Sequence, residues 1–227
     1  MIKISVIIPV LNEETVIEKT LNNLHKKDES IEVIVVDGGS QDNTVKLVQN
    51  MGVKIVKSTK AIRALQMNQG ALLATGNILL FLHADTILPL GYNELIINSF
   101  SDSKVVGGAF KLKIDLSLFS LRLIEMLVNW RSQFFLIPYG DQAIFVKTSV
   151  FREIGGFTNF PIMEDFEFIQ RLNKRGKIII LSAKVITSGR RWQKLGVIKT
   201  TFINQLIILG YYLGVPPKKL AQWYRER

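Results

Sequence analysis

An α/β domain with a mostly parallel central sheet, helices on both of its faces and amphipathic helices at the C-terminus is the fold this sequence predicts. Three observations predict it. Strand-like and helix-like patterns alternate through the first half of the chain, as they do when helices cross over a parallel sheet. The run Ile78-Leu79-Leu80-Phe81-Leu82 is apolar throughout, as a strand covered on both faces must be. Carboxylates stand just beyond strand-like runs, at Asp37 and Asp85, where open α/β sheets place their ligands.

The elements follow in order. Lys3 to Pro9 reads as a strand, and Glu14 to Lys27 as a helix with Val16, Ile17, Leu21 and Leu24 on one face. Ile31 to Val36 is a buried strand, Asp42 to Met51 a helix, and Val53 to Lys57 a short strand. Ala61 to Ala74 is a helix whose apolar contacts come from Ala64, Leu65, Met67, Ala71 and Leu72. Thr75-Gly76-Asn77 then leads into the central strand ending at Leu82. Beyond it, Leu90 to Phe100 is helical, and Val105 to Ile114 is a strand broken by Gly107-Gly108. Ser117 to Leu136 is a long amphipathic helix, Ala143 to Lys147 a strand, Val150 to Ile154 a short helix, Asp165 to Lys174 another, and Ile178 to Leu181 a strand. No repeat or linker-like composition divides the chain. Residues 1–227 are therefore expected to form one domain: 1–115 as a ligand-binding half, 116–190 as a second half, and 191–227 as basic C-terminal helices.

Composition narrows the chemistry. The chain has 227 residues, 48% of them hydrophobic, and no cysteine. It can bury a sizeable core, and disulfides, thiolate metal sites and cysteine nucleophiles are excluded. Met1-Ile2-Lys3-Ile4-Ser5 enters a strand pattern directly, without the layout of a signal peptide. A cytoplasmic protein is the expectation, peripheral at most on the inner face of the cell membrane. The net charge of +10 is concentrated at one end: from Arg171 onward there are 13 lysines and arginines against the single acid Glu226. Such a quarter suits nucleic acid, an anionic membrane surface or an anionic substrate. It lacks the aromatic-basic interleaving of a nucleic-acid stacking platform, so nucleic acid is not expected. Thr200 to Val215 is uncharged but has only 16 residues, short of the roughly 20 a spanning helix needs. With basic residues at both ends, and with Tyr211, Tyr212, Trp223 and Tyr224 nearby, it suits a membrane interface or the side of the sheet equally.

The acidic residues carry the chemistry. Asp37 begins Asp37-Gly38-Gly39-Ser40-Gln41-Asp42, a glycine turn with Ser40 or Asp42 placed to cap the following helix. Asp37 itself could accept hydrogen bonds from a ligand. Asp85, past the central strand, could bind a divalent cation such as Mg2+ or Mn2+ together with substrate phosphates, or could cap the next turn. Asp165 follows Glu164 at a helix start, which strongly suits N-capping; a general base can act as a cap before substrate arrives, so the two roles can coexist.

Taken together, Ser5-Val6-Ile7-Ile8-Pro9-Val10-Leu11-Asn12-Glu13-Glu14, Val36-Asp37-Gly38-Gly39-Ser40, His83-Ala84-Asp85 and Met163-Glu164-Asp165 resemble the family 2 glycosyltransferases of GT-A fold. Gly140-Asp141-Gln142, Gly155-Gly156-Phe157 and Ser188-Gly189-Arg190-Arg191-Trp192 resemble a small bacterial subgroup associated with radical-SAM and selenodomain proteins. The resemblance implies a metal-dependent, inverting transfer from a nucleotide-sugar, usually UDP-linked, to an acceptor hydroxyl; the basic C-terminal quarter suggests that this acceptor is lipid-linked or membrane-associated. It implies that Pro9, Glu13, Asp37, Arg63, Asn68, His83, Ala84, Gly108, Arg191 and Trp192 bind the donor. Asp85 would hold Mn2+ or Mg2+, Asp165 with Glu164 would form the catalytic pair, and Asp141 and Gln142 would lie on the acceptor side. His83 stands where the family's Asp-x-Asp has its first carboxylate. Arg190 and Arg191 both fit the late Arg-Trp element. A nucleotidyltransferase on the same scaffold would place a glycine-rich loop after the first strand, whereas Val10-Leu11-Asn12-Glu13-Glu14 has no glycine and two acids. A non-catalytic sugar-nucleotide-binding module would have no need of both Glu164 and Asp165.

Overall fold

The computed structural model describes residues 2–24 and 29–225. Eight strands form one sheet: β1 (Ile4–Val10), β2 (Ile31–Asp37), β3 (Lys54–Lys57), β4 (Ile78–Phe81), β5 (Thr86–Ile87), β6 (Val105–Ile114), β7 (Ile144–Lys147) and β8 (Lys177–Thr187). Their order across the sheet is β3-β2-β1-β4-β7-β6-β8-β5. The helices are α1 (Ile17–Leu24), α2 (Thr44–Asn50), α3 (Arg63–Leu73), α4 (Tyr92–Ser99), α5 (Phe119–Phe135), α6 (Thr148–Glu153), α7 (Glu164–Asn173), α8 (Arg190–Leu195), α9 (Val197–Tyr212) and α10 (Pro217–Arg225), with a 3-10 turn at Gly140–Gln142. The last three residues expected in the first helix, and His25 within them, lie outside the described residues.

The α/β class holds, and the sheet is mostly parallel, with β7 and β5 reversed. β3, β2, β1 and β4 run parallel. β7 then runs against both β4 and β6, and β5 against β8, while β6 and β8 are parallel. The reversal has a consequence for the site. The carboxyl ends of β1, β2, β4, β6 and β8 share one edge of the sheet, and the antiparallel β7 starts at that same edge. The turn that precedes β7, Gly140–Gln142, is thereby delivered to the strand ends.

Apolar residues cover both faces, as the uninterrupted strand runs require. On one face Ile17, Leu21, Val48, Ile96 and Leu121 of α1, α2, α4 and α5 pack on Val6, Ile8 and Leu80. On the other, Ala64, Met67, Phe151 and Phe168 of α3, α6 and α7 pack on Ile7, Leu79 and Phe81. Phe157 joins this second layer, with its ring 4.7 Å from Phe81 and 4.4 Å from Phe168. A third, smaller cluster of Met163, Phe166, Ile203, Ile207 and Leu220 fastens α9 and α10 to the start of α7. Leu72, expected to pack, is 82% exposed. β6 is not broken at Gly107-Gly108; the strand continues, with a register shift between Val105 and Gly107.

Candidate active site

A cleft of about 630 Å³ opens at the shared strand edge. One wall comes from the loop after β1 and from the end of β4: Pro9, Glu13, His83 and Asp85. The opposite wall comes from the 3-10 turn and the start of α7: Tyr139, Asp141, Glu164 and Asp165. Arg63 at the head of α3, and Arg190, Arg191 and Trp192 beyond β8, also face it, as do Ile207 and Ile208 of α9.

The loop after β1 is held rigidly. The Glu13 N–H donates to Thr44 Oγ1 at 2.8 Å, the Glu14 N–H to Asp42 at 3.1 Å and the Asn12 N–H to Ser40 Oγ at 2.9 Å. Glu13 is thus fixed opposite Arg190, whose guanidinium takes both its oxygens at 2.7 and 2.8 Å and reaches Asp85 Oδ2 at 3.1 Å. Two carboxylates therefore share one cation. Burial pushes the Asp85 carboxyl above its ordinary value; Arg190 opposes the shift and Glu13 adds to it. Arg191 lies with its guanidinium carbon 3.7 Å from the Tyr224 ring centre. The Arg191 Nε and Trp192 Nε1 donors are buried with no hydrogen-bond partner among the described residues. Both arginines thus belong to the cleft, with different tasks.

On the facing wall, α7 starts at Glu164 and not, as expected, at Asp165. Met163 precedes it at φ 65°, a left-handed conformation that is uncommon for a residue with a side chain and clusters at functional sites. Asp165 is therefore not the N-cap. Its Oδ1 accepts the Phe166 N–H at 2.7 Å and its Oδ2 the Gly140 N–H at 2.6 Å. Gly140 packs closely there: a Cβ would stand 3.0 Å from His83 Nε2 and 3.1 Å from Asp165 Oδ2, so both side chains would have to shift slightly. Glu164 is buried, and its Oε1 lies 3.4 Å from Arg63. Burial raises its carboxyl; Arg63 opposes that and Asp165 reinforces it. Asp141 Oδ1 is buried without a hydrogen-bond partner among the described residues. Burial pushes this carboxyl up to about 6, against the pull of Arg131. His83 goes the other way: burial, then the charges of Arg63 and Arg190, hold it down at about 3. It is neutral at any physiological pH.

The cleft excludes several residues expected in it. Asp37 is buried, and its oxygens accept the N–H groups of Gly39 and Ser40 at 3.0–3.3 Å; it shapes its own turn. Asn68 spends its amide on the Phe157 backbone, donating at 2.8 Å and accepting at 2.9 Å. Ala84 is core, and its carbonyl takes the Thr20 hydroxyl. Gly108 lies inside the sheet, where a Cβ would collide with Ile179 and the Phe145 ring. Gln142 is fully buried and links the Phe110 carbonyl, the Ser132 hydroxyl and the Tyr139 N–H. Conversely, Tyr139 and Tyr224 line the cleft without any signal in sequence spacing. Burial raises both phenols, Tyr139 up to about 12.

Among the described residues no three His, Asp or Glu side chains gather into a ready-made metal cage. The donor set is nevertheless of the kind a hard divalent cation takes: Asp85 and Glu13 offer carboxylate oxygens, which Arg190 would have to yield. A magnesium or manganese ion commonly takes one or two carboxylates plus substrate phosphates.

Acids thus face each other across a cleft at the parallel-strand edge, beside the Arg191 Nε and Trp192 Nε1 donors, unpartnered among the described residues. The family model "Glycosyl transferase family 2" matches residues 5–158, and the chain belongs to that family. It is 27% identical to a PGL/p-HBAD biosynthesis glycosyltransferase of Mycobacterium bovis, over 90% of this chain and 95% of that one. Its fold matches a mannosyltransferase from Pyrobaculum calidifontis in complex with GDP-Man and Mn2+, with TM-score 0.67 and 20% identity. That match covers 82% of this chain and little more than half, 56%, of the other. Glucosyl-3-phosphoglycerate synthase from Mycobacterium tuberculosis, in complex with Mn2+, UDP and glucosyl-3-phosphoglycerate, matches with TM-score 0.68 and 17% identity, over 95% and 81% of the two chains. The chain is a glycosyltransferase of GT-A fold.

Proposed function

We propose that this glycosyltransferase moves a sugar from a nucleotide-sugar donor, of the UDP type, to an acceptor hydroxyl in one inverting displacement. The observation that carries the reading is the pairing of two walls across one cleft: Glu13, Asp85 and Arg190 on one side, Glu164 and Asp165 on the other. Asp165 takes the proton from the acceptor hydroxyl. The acceptor oxygen then bonds to the anomeric carbon as the bond to the diphosphate breaks, and that electron pair leaves with the diphosphate. Arg191 and Trp192 present their unspent N–H donors to the diphosphate. Arg63, held by Glu164, adds positive charge near the leaving group. Neutral His83 offers a hydrogen bond and no charge. Asp141, with its raised basicity, faces the acceptor side. Asp85, with Glu13 near it, would hold Mn2+ or Mg2+; such an ion neutralises charge building on a departing diphosphate. Two structural relatives contain Mn2+ beside a nucleotide or nucleotide-sugar, which supports this assignment.

The basic last quarter of the chain supports an acceptor at, or linked to, an anionic membrane. The enzyme would then work peripherally on the inner face of the cell membrane. No described helix is long and apolar enough to cross a bilayer. The Ser188-Gly189-Arg190-Arg191-Trp192 run supports membership of the bacterial subgroup associated with radical-SAM and selenodomain proteins.

Asp165→Asn tests the catalytic assignment. Donor turnover should fall about 10²–10⁴-fold, the usual contribution of a general base, while nucleotide affinity, read by calorimetry, stays within a factor of about two. Equal loss of both would show Asp165 to be a binding residue instead.

A further inference from the structure

The long helix α5 is amphipathic in the reverse sense. Leu121, Glu125 and Ser132 point inward and are buried. Phe119, Leu123, Met126, Leu127, Trp130 and Phe134 fall on the opposite side, at the helical spacing of one stripe, and all are exposed. Phe119 is 79% and Phe134 73% exposed, and Trp130 stacks on Phe134 at 5.5 Å. The charged residues of α5 are all drawn off this stripe. Arg122 donates to the Ile114 and Leu116 carbonyls, Glu125 accepts the Ile114 N–H, and Arg131 lies over the Tyr139 ring. An uncharged apolar surface about 25 Å long thus faces outward.

Two relays tie the ends of α5 to the segment that carries α9. Near the start of α5, Asp115 accepts the Gly189 N–H at 2.6 Å, just before α8. Near its end, Tyr139 touches Phe166, which touches Tyr212 at the end of α9. α9 also turns apolar residues outward (Ile198, Phe202, Leu209 and Tyr212), while its inner residues Ile207 and Ile208 line the cleft. Exposed Lys194, Lys199, Lys218 and Lys219 lie on α8, α9 and α10.

We infer that the outward stripe of α5, together with the outward residues of α9, is the face by which this protein lies on an anionic bilayer surface, with the cleft wall of α9 turned away from the lipid. The argument is one of charge and chemistry. Aromatic and aliphatic side chains without charged neighbours suit the headgroup–acyl boundary, and the lysines of α8, α9 and α10 suit anionic headgroups. A second copy of this chain would instead bring two strongly positive quarters together. The inference rests on the membrane-adjacent part of the proposed function, but not on the donor assignment.

The full chain is tested by flotation with phosphatidylcholine vesicles, with and without phosphatidylglycerol, at low and high salt. Wild type should float with the anionic vesicles. Trp130→Ser combined with Phe134→Ser should bind about tenfold less or worse with an unchanged melting temperature. Lipid brominated on its acyl chains should quench tryptophan fluorescence of wild type, and quench it far less in Trp130→Phe, which still floats. Undiminished flotation of the double variant, or unchanged quenching in Trp130→Phe, overturns the inference and leaves the basic tail as the anchor. Absence of any flotation overturns both this inference and the membrane-adjacent reading. A sedimenting dimer that the double variant dissolves makes a second copy the occupant and overturns it too. UDP affinity measured on the same samples stays unchanged, which keeps the donor assignment separate.

Discussion

Asp141 and His83 sit in one cleft and titrate in opposite senses. Asp141 is raised to about 6, so the folded chain keeps a proton that the unfolded chain has released. The stability this contributes is present at acidic pH and is lost as pH rises through about 6. His83 is lowered to about 3, so its contribution is present above the ordinary imidazole value and is lost as pH falls toward 3. The two oppose each other in mildly acidic solution, and a substitution separates them. Asp141→Asn should be more stable than wild type at pH 8 by about 1–3 kcal/mol, the scale of ionising a carboxyl held about two pH units above its unfolded value. The gap should close below about pH 5, leaving a profile that rises with pH as His83 requires; thermal denaturation across pH 4–8 reads both. At this scale, position in the chain announced Asp85 and Asp165, because a strand end and a helix start fix where those side chains stand. It did not announce that Asp37, Asn68 and Gln142 stand off the cleft wall, hydrogen-bonded to nearby backbone or side chains. Only three-dimensional neighbours decide that.

Among the elements, the parallel half of the sheet was legible almost strand for strand, because buried runs and glycine turns are local signals. β7 was legible as a strand but not as a reversed one. Its direction depends on where the chain emerges after α5, which no local pattern encodes. β8 runs on to Thr187 where only Ile178 to Leu181 was expected, because Ser182 and Lys184 interrupt the apolar run while the ladder to β6 continues past a register shift. The helix over 119–135 was legible as amphipathic, but which side faces outward was not. Its inner side is anchored by polar groups: Glu125 accepts the Ile114 N–H and pairs with Arg122 at 3.0 Å, and Asn129 clasps the Leu112 backbone. Glu125→Ala leaves a buried strand N–H without an acceptor. It should cost about 1–3 kcal/mol of unfolding free energy in urea denaturation, with little change in UDP affinity. A loss of affinity matching the loss of stability would tie α5 to the cleft directly.

For the whole molecule, the mixed sheet brings an antiparallel strand's starting turn to the edge where the parallel strands end. The two facing walls of the cleft come largely from different halves of the chain and meet only there. Arg190, from the second half, links Glu13 and Asp85 of the first, and contacts the two carboxylates that a divalent cation would share. The most direct measurement is a titration of UDP into the protein with and without Mn2+, followed by melting temperature, on wild type and Asp85→Ala. Wild type should gain stability from UDP chiefly when Mn2+ is present, by about 2.7 kcal/mol at a hundredfold excess over the dissociation constant. Asp85→Ala should keep its fold and lose the Mn2+-dependent part. A UDP shift in wild type that ignores Mn2+, or a metal-dependent shift that survives in Asp85→Ala, would contradict the assignment of the cleft's carboxylate wall.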